Sequence, residues 1–110
     1  MRVTASQENG VTVISIEGSI DGKTAPVVKQ EINPSLEAAK NVILDLSKVD
    51  YLSSAGLRLL LLIYREFAAK NGKLVLLGVS QDIQTVMSHT GFLSFFKLAD
   101  SRAEALQALS

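Results

Sequence analysis

Two adjacent serines, Ser53 and Ser54, are the side chains in this sequence whose placement most favours chemistry. An apolar run, Val42–Leu46, predicts a buried strand, and a short polar loop then carries both serines to the start of a leucine-rich helix. A hydroxyl group at the start of a helix lies near water and in the positive end of the helix dipole, which favours a phosphate. The position therefore predicts a phosphorylation switch rather than an enzyme active site.

Catalysis by these serines would need a general base, and the chain has a single histidine, His89. The available triad would be Ser54, His89 and a carboxylate such as Asp45. No G-x-S-x-G segment surrounds either serine. We place His89 near the C-terminal end of a short helix, where the helix dipole alone favours a cation. We therefore predict a protein that is not an enzyme and has no catalytic residues.

The composition argues against several other classes of protein. The 11 basic and 11 acidic residues give a formal net charge of zero, unlike the basic surface of a nucleic-acid binder. With no cysteine and one histidine, the chain has neither a disulfide framework nor a multi-histidine metal site. The glycine-rich motifs that bind nucleotide phosphates are also missing from the sequence. We expect no cofactor, no metal and no nucleic-acid partner.

The apolar segments of the chain are short. The longest, Leu59–Ile63, falls far below the roughly 20 residues that a membrane-spanning helix needs. No apolar stretch near Met1 resembles a signal peptide. We therefore expect a cytoplasmic protein that does not insert directly into a membrane.

Strands and helices are predicted to alternate along the chain and so to position the serines. The spacing of apolar residues predicts strands over Arg2–Gln7, Val11–Glu17, Val42–Leu46, Lys73–Leu77 and Phe95–Leu98. Helical spacing and capping residues predict helices from about Ala25 and over Ser54–Lys70, Gln81–Thr90 and Arg102–Leu109. This order indicates an α/β fold with a mixed, mostly parallel sheet of four to five strands backed by about four helices. We assign residues 1–110 to one domain.

Several single residues predict where these elements begin and end. Asn9 and Gly10 favour the type I′ turn of a hairpin between the first two strands. Asp21 and Thr24 are both candidates for the N-cap of the first helix. Pro34 is expected to break or restart that helix.

On the predicted helix Ser54–Lys70, two leucines lie outside the expected core stripe. The stripe has apolar residues at helical spacing and consists of Leu57, Leu60, Leu61, Tyr64, Phe67 and Ala68. Leu59 and Leu62 fall instead beside the charged residues Arg58 and Arg65. An apolar patch edged by arginines is typical of a docking surface. A neighbouring helix could equally cover both leucines, or docking and packing could divide them.

Three segments of the chain resemble one known family. They are Glu17–Asp21 with Thr24-Ala25, Val42–Ser47 with Asp50–Leu57, and Gly72–Leu74 with Thr90–Phe92. The second segment is the most specific and is similar to the pattern V-x-[LI]-D-[LF]-S…[FY]-[ILM]-[DS]-S-[ASTG]-G-L. Through these motifs the chain resembles the STAS family (sulfate transporter and anti-sigma factor antagonist), specifically its small, free-standing bacterial anti-sigma factor antagonists. The resemblance implies a single STAS-type domain over nearly the whole chain.

The resemblance also implies a partner-switching function. In its unphosphorylated form, a small member of this family binds an anti-sigma factor that is also a serine kinase of the histidine-kinase ATPase fold. Binding releases the sigma factor or another target. The kinase phosphorylates the serine that corresponds to Ser54, which blocks binding, and a PP2C-type phosphatase reverses the reaction. We expect the same partners for this chain, and a monomer rather than a dimer.

One departure from the family pattern affects the phosphorylation site. Many acceptors of the family follow an aspartate, and here that position is Ser53, which makes Ser53 a second candidate acceptor. The predicted partner-binding residues are Asp21, Thr24, Ser53, Ala55, Gly56, Arg58, Leu59, Leu62 and Arg65. Asp21 could equally have only a structural role, as a helix cap or in a turn. Asp45 is expected to anchor the Ser53–Ser54 loop by accepting hydrogen bonds from backbone N–H groups.

A second hypothesis keeps the fold and changes the function. A stand-alone STAS domain can be a structural subunit of a lipid-transport ABC complex, where it docks on the ATPase without phosphorylation. The helix face that carries Arg58, Leu62 and Arg65 would then contact the ATPase. Co-purification of an ABC-type ATPase or of a small kinase would distinguish the two hypotheses.

Overall fold

The first two strands form a hairpin at one edge of the sheet. The computed structural model describes residues 1–109 of the 110-residue chain. Strand β1 (Arg2–Glu8) runs antiparallel to β2 (Val11–Ile20). Asn9 and Gly10 join them with φ angles of 53° and 78°, and Asn-Gly favours this left-handed conformation in a type I′ turn. The predicted hairpin is confirmed.

The rest of the chain alternates helices with parallel strands. The elements that follow the hairpin are α1 (Ala25–Ala38), β3 (Asn41–Leu52), α2 (Ser54–Ala69), β4 (Lys73–Leu77), α3 (Gln81–His89), β5 (Lys97–Ala99) and α4 (Arg102–Ala108). The strand order is β1-β2-β3-β4-β5, and every neighbouring pair after β1–β2 is parallel. Within residues 1–109, the five strands and four α-helices match the predicted α/β class. None of the helices in this range is long and apolar enough to cross a membrane.

Helices cover both faces of the sheet, and this explains why its central strands are so apolar. Helices α1, α2 and α3 pack on one face, where Ile14 of β2 and Leu44 of β3 are completely buried. Helix α4 packs on the other face, against Val13 and Ile43. Because consecutive residues of a strand point to opposite faces, a strand that is covered on both sides loses the alternation of apolar and polar residues.

Strand β3 is longer than predicted and includes most of the segment expected to be a polar loop. Val49 and Leu52 are buried in the core. They pair with Gly18 and Ile20 of β2, which continues past its predicted end at residue 17. Two shifts of register insert extra residues into β3, and such bulges obscure the pattern of a strand. Ser53 is therefore the single residue between β3 and α2.

Helix α1 runs without interruption through Pro34, where the sequence predicted a break. A proline removes one hydrogen bond of a helix and normally kinks or ends it. Here Ile32 and Leu36, on either side of Pro34, are buried in the core and hold both halves of the helix in place. Gln30, whose carbonyl group has no helical hydrogen-bond donor because of Pro34, is exposed, so water can reach that carbonyl. Packing of α1 against the core therefore outweighs the tendency of Pro34 to end the helix.

The segment between α3 and β5 also differs from the prediction. Ser80 caps α3 as expected, because its Oγ accepts a hydrogen bond from the Ile83 N–H at 3.2 Å. The chain leaves α3 through Gly91, which has a φ angle of 79°. It then forms a 3₁₀ turn over Leu93–Phe95, so β5 begins at Lys97 instead of residue 95.

Candidate functional site

The carboxyl ends of β2 and β3 bring the predicted site residues together. Ile20 and Leu52, the last residues of these strands, are paired in the sheet. The Ser53 N–H donates a hydrogen bond to the Ile20 carbonyl oxygen at 2.9 Å, so the turn after β2 lies beside the start of α2. In α/β sheets, ligands bind outside the carboxyl ends of the strands. The carboxyl ends of β2 and β3, with the turn after β2 and the start of α2, form the candidate functional site.

The two serines at the start of α2 have different environments. Ser53 is the N-cap residue: it is half-buried, and its Oγ accepts a hydrogen bond from the Gly56 N–H at 3.3 Å. Ser54 is the first residue of the helix and is exposed. No residue in the range 1–109 forms a hydrogen bond with the Ser54 hydroxyl. Ser53 therefore stabilises the helix, whereas Ser54 presents a free hydroxyl at the surface.

Gly56 allows α2 to begin directly against the end of β2. A Cβ atom added at Gly56 would lie 2.6 Å from the Ile20 carbonyl oxygen and 2.6 Å from Leu52 Cδ1, closer than real side chains approach. Gly56 is buried, so the structure gives it a packing role, and its predicted direct contact with a partner is wrong. The close approach holds the start of α2, and Ser54 with it, beside the turn after β2.

Asp21 organises the turn after β2, residues 21–24. Its Oδ1 accepts hydrogen bonds from the backbone N–H of Thr24 at 3.0 Å and of Lys23 at 2.9 Å. The hydrogen bond from the Thr24 N–H is the largest cause that holds the pKa of the Asp21 carboxyl below its ordinary value, and the bond from the Lys23 N–H is the next. Thr24 occupies the N-cap position of α1 without capping it, and its Oγ1 donates to the Ser19 carbonyl oxygen at 2.8 Å. Asp21 thus has the structural role that was one of its two predicted alternatives.

Asp45 stabilises its own strand instead of the serines. Its Oδ1 accepts hydrogen bonds from Ser47 Oγ at 2.6 Å and from the Ser47 N–H at 3.0 Å, so the predicted anchoring of Ser53 and Ser54 by Asp45 is wrong. His89 is the exposed last residue of α3. In the described part of the chain, no hydrogen bond joins Ser54 to Asp45 or His89, and no cluster of three or more His, Cys, Asp or Glu side chains could hold a metal ion.

The outer side of α2 separates the two leucines whose roles the sequence left open. Leu59 is 6% exposed and belongs to the core, whereas Leu62 is 44% exposed. A shallow groove of about 440 Å³ lies between the starts of α1 and α2, and its lining residues include Gly22, Pro26, Lys29, Ala55, Arg58 and Leu62. Packing within the domain therefore explains the apolar residue at position 59, whereas Leu62 stays exposed and available for docking. We call the exposed surface formed by Arg58, Leu62 and Arg65 the docking face.

The buried stripe of α2 is rotated relative to the predicted one. Ile63 lies outside the predicted stripe and is completely buried, whereas Ala68 lies within it and is exposed. Leu61 and Tyr64 are half-buried. The ring of Tyr64 contacts the ring of the exposed Phe95, with ring centroids 5.6 Å apart. Helix α1 packs beside α2, where Lys29 pairs with Glu66, and helical spacing alone does not reveal such a tertiary contact.

The docking face carries positive charges that have no ion-pair partner among the described residues. Lys29 Nζ lies 2.6 Å from Glu66 Oε1, so the negative charge of Glu66 is already neutralised. Arg58 and Arg65 are exposed, and neither forms an ion pair with any residue between 1 and 109. The first turn of α2 contains no acidic residue. The face is therefore apolar at its centre and cationic at its edges.

Tyr51 is an exposed aromatic residue near the site that the prediction of a binding surface missed. It is 56% exposed and pairs with Ser19 at the end of β2. Ser19 Oγ donates a hydrogen bond to Asp50 Oδ1 at 2.8 Å, which joins β2 to β3 at this point. Because Leu52 is buried, its neighbour in a strand must point to the opposite side. The sequence prediction assigned this segment to a loop, where side chains do not alternate, and so gave no reason to expect Tyr51 to be exposed.

The chain matches one known protein family over almost its entire length. The family model of the STAS domain matches residues 2–105. The chain belongs to the STAS domain family. A relative of this STAS domain, BtrV of Bordetella bronchiseptica, is provisionally named an anti-sigma factor antagonist. The two are 32% identical over 109 residues, which cover 98% of this chain and 94% of BtrV. The resemblance inferred from the motifs is confirmed.

Solved structures share the fold of this STAS domain. An anti-sigma factor antagonist from Mycobacterium paratuberculosis has a TM-score of 0.88 and 28% identity, and the match covers 98% of this chain and 92% of that chain. Unphosphorylated SpoIIAA, also an anti-sigma factor antagonist, has a TM-score of 0.79 and 21% identity, covering 97% of this chain and 95% of that chain. Family membership makes the chain a binding protein and not an enzyme. The names of these relatives do not favour the lipid-transport alternative.

Proposed function

We propose that this STAS domain is an anti-sigma factor antagonist whose binding to its partner is blocked by a phosphate on Ser54. The partner would contact the docking face and the turn formed by residues 21–24. The observation that carries the proposal is the exposed hydroxyl of Ser54, which has no hydrogen-bond partner in the described chain. Ser54 is the first residue of α2, the helix that carries the docking face, and the start of this helix lies beside the turn after β2, so a group added there enters an interface that includes both.

Ser54 is a better acceptor than Ser53 because its hydroxyl is free. The Ser53 Oγ caps α2 through the Gly56 N–H. Losing a serine N-cap typically costs about 1 kcal/mol of stability, so a modification that pulled Ser53 away from this bond would weaken the start of the helix. Modification of Ser54 breaks no hydrogen bond within residues 1–109.

A phosphate on Ser54 should leave the domain folded. It would add a charge of about −1.5 to −2 at neutral pH. The first turn of α2 has no acidic residue to repel it. The positive end of the helix dipole stabilises a negative group at such an exposed position by about 0.3–1 kcal/mol. The effect of phosphorylation on binding must therefore come from the complex and not from unfolding.

The same phosphate should strongly oppose docking. In the complex the phosphate would lose water against the partner surface, and burying negative charge that the partner does not neutralise costs several kcal/mol. Because about 1.4 kcal/mol corresponds to a tenfold change in affinity, a cost of about 3 kcal/mol would reduce binding more than a hundredfold. The block is then steric and electrostatic and requires no refolding.

The proposed partners follow from the family resemblance and fit the charge of the docking face. We infer that the anti-sigma factor is a serine kinase of the histidine-kinase ATPase fold and that a PP2C-type phosphatase removes the phosphate. The unpaired Arg58 and Arg65 flank the exposed Leu62, which favours a partner surface with carboxylates around an apolar side chain. Structures of SpoIIAA in unphosphorylated and phosphorylated forms support phosphorylation as a state of this fold.

Phosphate transfer in vitro tests the proposal. The chain is incubated with the candidate kinase and ATP, and its mass is measured. The wild type and Ser53→Ala should each gain one phosphate, whereas Ser54→Ala should gain none. A phosphate located on Ser53, or no transfer from a kinase that binds the wild-type chain, would contradict the proposal.

A further inference from the structure

Arg58 is placed to interact with a group on Ser54. The two residues are four positions apart in α2, and residues at this spacing lie on the same face of a helix. Side chains of a helix also lean towards its N-terminus, so a long side chain covers the turn that precedes it. The Arg58 guanidinium can therefore extend towards the Ser54 hydroxyl without any change in the backbone. Ser53 lies outside the helix and five positions away, so it does not share this geometry.

No carboxylate of the surrounding elements occupies Arg58. It forms no ion pair with a residue in the range 1–109. Glu66, on the same helix, is bound to Lys29 of α1. In the neighbouring turn, Asp21 Oδ1 is hydrogen-bonded to backbone N–H groups, and Lys23 is a further cation. The guanidinium of Arg58 is thus available to an anion that arrives at the start of α2.

We propose that Arg58 is a positioning residue for phosphoserine at position 54 and binds its phosphate within the same chain. The inference rests on the proposed phosphorylation of Ser54. A planar guanidinium matches two oxygens of a phosphate and forms strong, charge-assisted hydrogen bonds with them. Arg58 also lines the groove beside Leu62. Phosphorylation therefore changes the docking face twice: it adds a dianion at the start of α2 and withdraws a cation from the groove.

A titration of the phosphate tests this contact without kinase or partner. Phosphoserine is introduced at position 54 during translation, and the second ionisation of its phosphate is followed by ³¹P NMR in the full-length chain. Arg58→Gln should raise the proton affinity of the phosphate about threefold, as expected for loss of one exposed charge pair. Arg58→Lys, which keeps the charge but not the planar fork, should give an intermediate value.

Arg65→Gln is the matched control because it removes the same charge from the same exposed side of α2, eleven residues from Ser54. It should leave the titration unchanged. Equal effects of Arg58→Gln and Arg65→Gln, or no effect of either, would overturn the inference. Arg58 is exposed, and glutamine has a similar helix propensity, so both variants should fold. Failure of the proposed function would appear separately, in the kinase assay, because this titration needs no kinase.

Discussion

The starts of α2 and α3 share the same cap but differ in charge. Ser53 Oγ accepts a hydrogen bond from the Gly56 N–H at 3.3 Å, and Ser80 Oγ accepts one from the Ile83 N–H at 3.2 Å. The first turn of α3 contains Asp82, whereas that of α2 contains no acidic residue. A carboxylate in the first turn complements the helix dipole. Helix α3 therefore has a carboxylate at its N-terminus in the unmodified chain. Helix α2 has none and would gain a negative charge there only through a modification such as phosphorylation.

The two helices also show that exposure alone does not identify a binding residue. Leu62 of α2 and Val86 of α3 are 44% and 45% exposed. Leu62 lines the groove that also contains Arg58, whereas Val86 does not line it. What distinguishes α2 is the combination of an exposed apolar residue, unpaired arginines and a free hydroxyl on one side of one helix.

Among single substitutions, the largest effect is expected when a charge is placed on the docking face. Leu62→Glu should weaken binding to the anti-sigma factor by about thirtyfold or more, the effect of losing a central interface residue worth about 2 kcal/mol. Val86→Glu, at equal exposure on α3, should leave the affinity unchanged. Isothermal titration calorimetry measures both affinities, and similar losses in the two variants would remove the distinction between the helices.

Packing at the start of α2 should produce the next largest effect. Gly56→Ala places a Cβ 2.6 Å from the Ile20 carbonyl oxygen, and backbone atoms cannot rotate away from it. Although alanine favours a helix by about 1 kcal/mol over glycine, we expect a net loss of about 2 kcal/mol from overpacking. Gly22→Ala is the control because a Cβ there meets no atom within 4 Å. Urea denaturation should show a loss of stability in Gly56→Ala alone.

Removal of either serine cap should have a smaller and similar effect. Ser53→Ala and Ser80→Ala should each lower the free energy of unfolding by about 1 kcal/mol, the usual value of a serine N-cap. Thermal or urea denaturation of the two variants measures this. If Ser53→Ala had no effect on stability, Ser53 would not be the cap of α2, and the separation of roles between Ser53 and Ser54 would fail.

The smallest effect concerns the pH dependence of the turn at residues 21–24. The pKa of Asp21 is lowered in the folded state, first by its hydrogen bond from the Thr24 N–H and then by that from Lys23. Its ionised form therefore contributes stability above the ordinary pKa of 3.8 and loses that contribution as the pH falls through the lower folded pKa. The stability difference between wild type and Asp21→Asn should be largest near neutral pH and should shrink in acid. A difference that is independent of pH would contradict this assignment.

Much of the fold could be predicted from the sequence because its signals are local. The Asn9-Gly10 turn, the serine cap of α3 and the apolar run of β3 each depend on neighbouring residues. Pro34 and the second half of β3 were mispredicted because tertiary packing decides them. Buried residues on both sides of Pro34 hold both halves of α1 against the core, and pairing with β2 extends β3 to Leu52.

The candidate site was predictable in position but not in its division of roles. The sequence placed Ser53 and Ser54 at the start of α2, and the structure has them there. Which hydroxyl is free depends on the N-cap geometry, since the helix begins one residue after Ser53. In the same way, the burial of Leu59 depends on the packing of the helices, which periodicity within one helix does not contain.

The central claim is that a phosphate on Ser54 blocks docking while the domain stays folded. The most direct measurement is calorimetric titration of the anti-sigma factor with the chain carrying phosphoserine at position 54 and, in parallel, with the unmodified chain. We expect the affinity to fall at least about a hundredfold with no decrease in the thermal unfolding midpoint of the modified chain. Equal affinities for the two forms, or a loss of affinity that accompanies unfolding of the modified chain, would contradict the account.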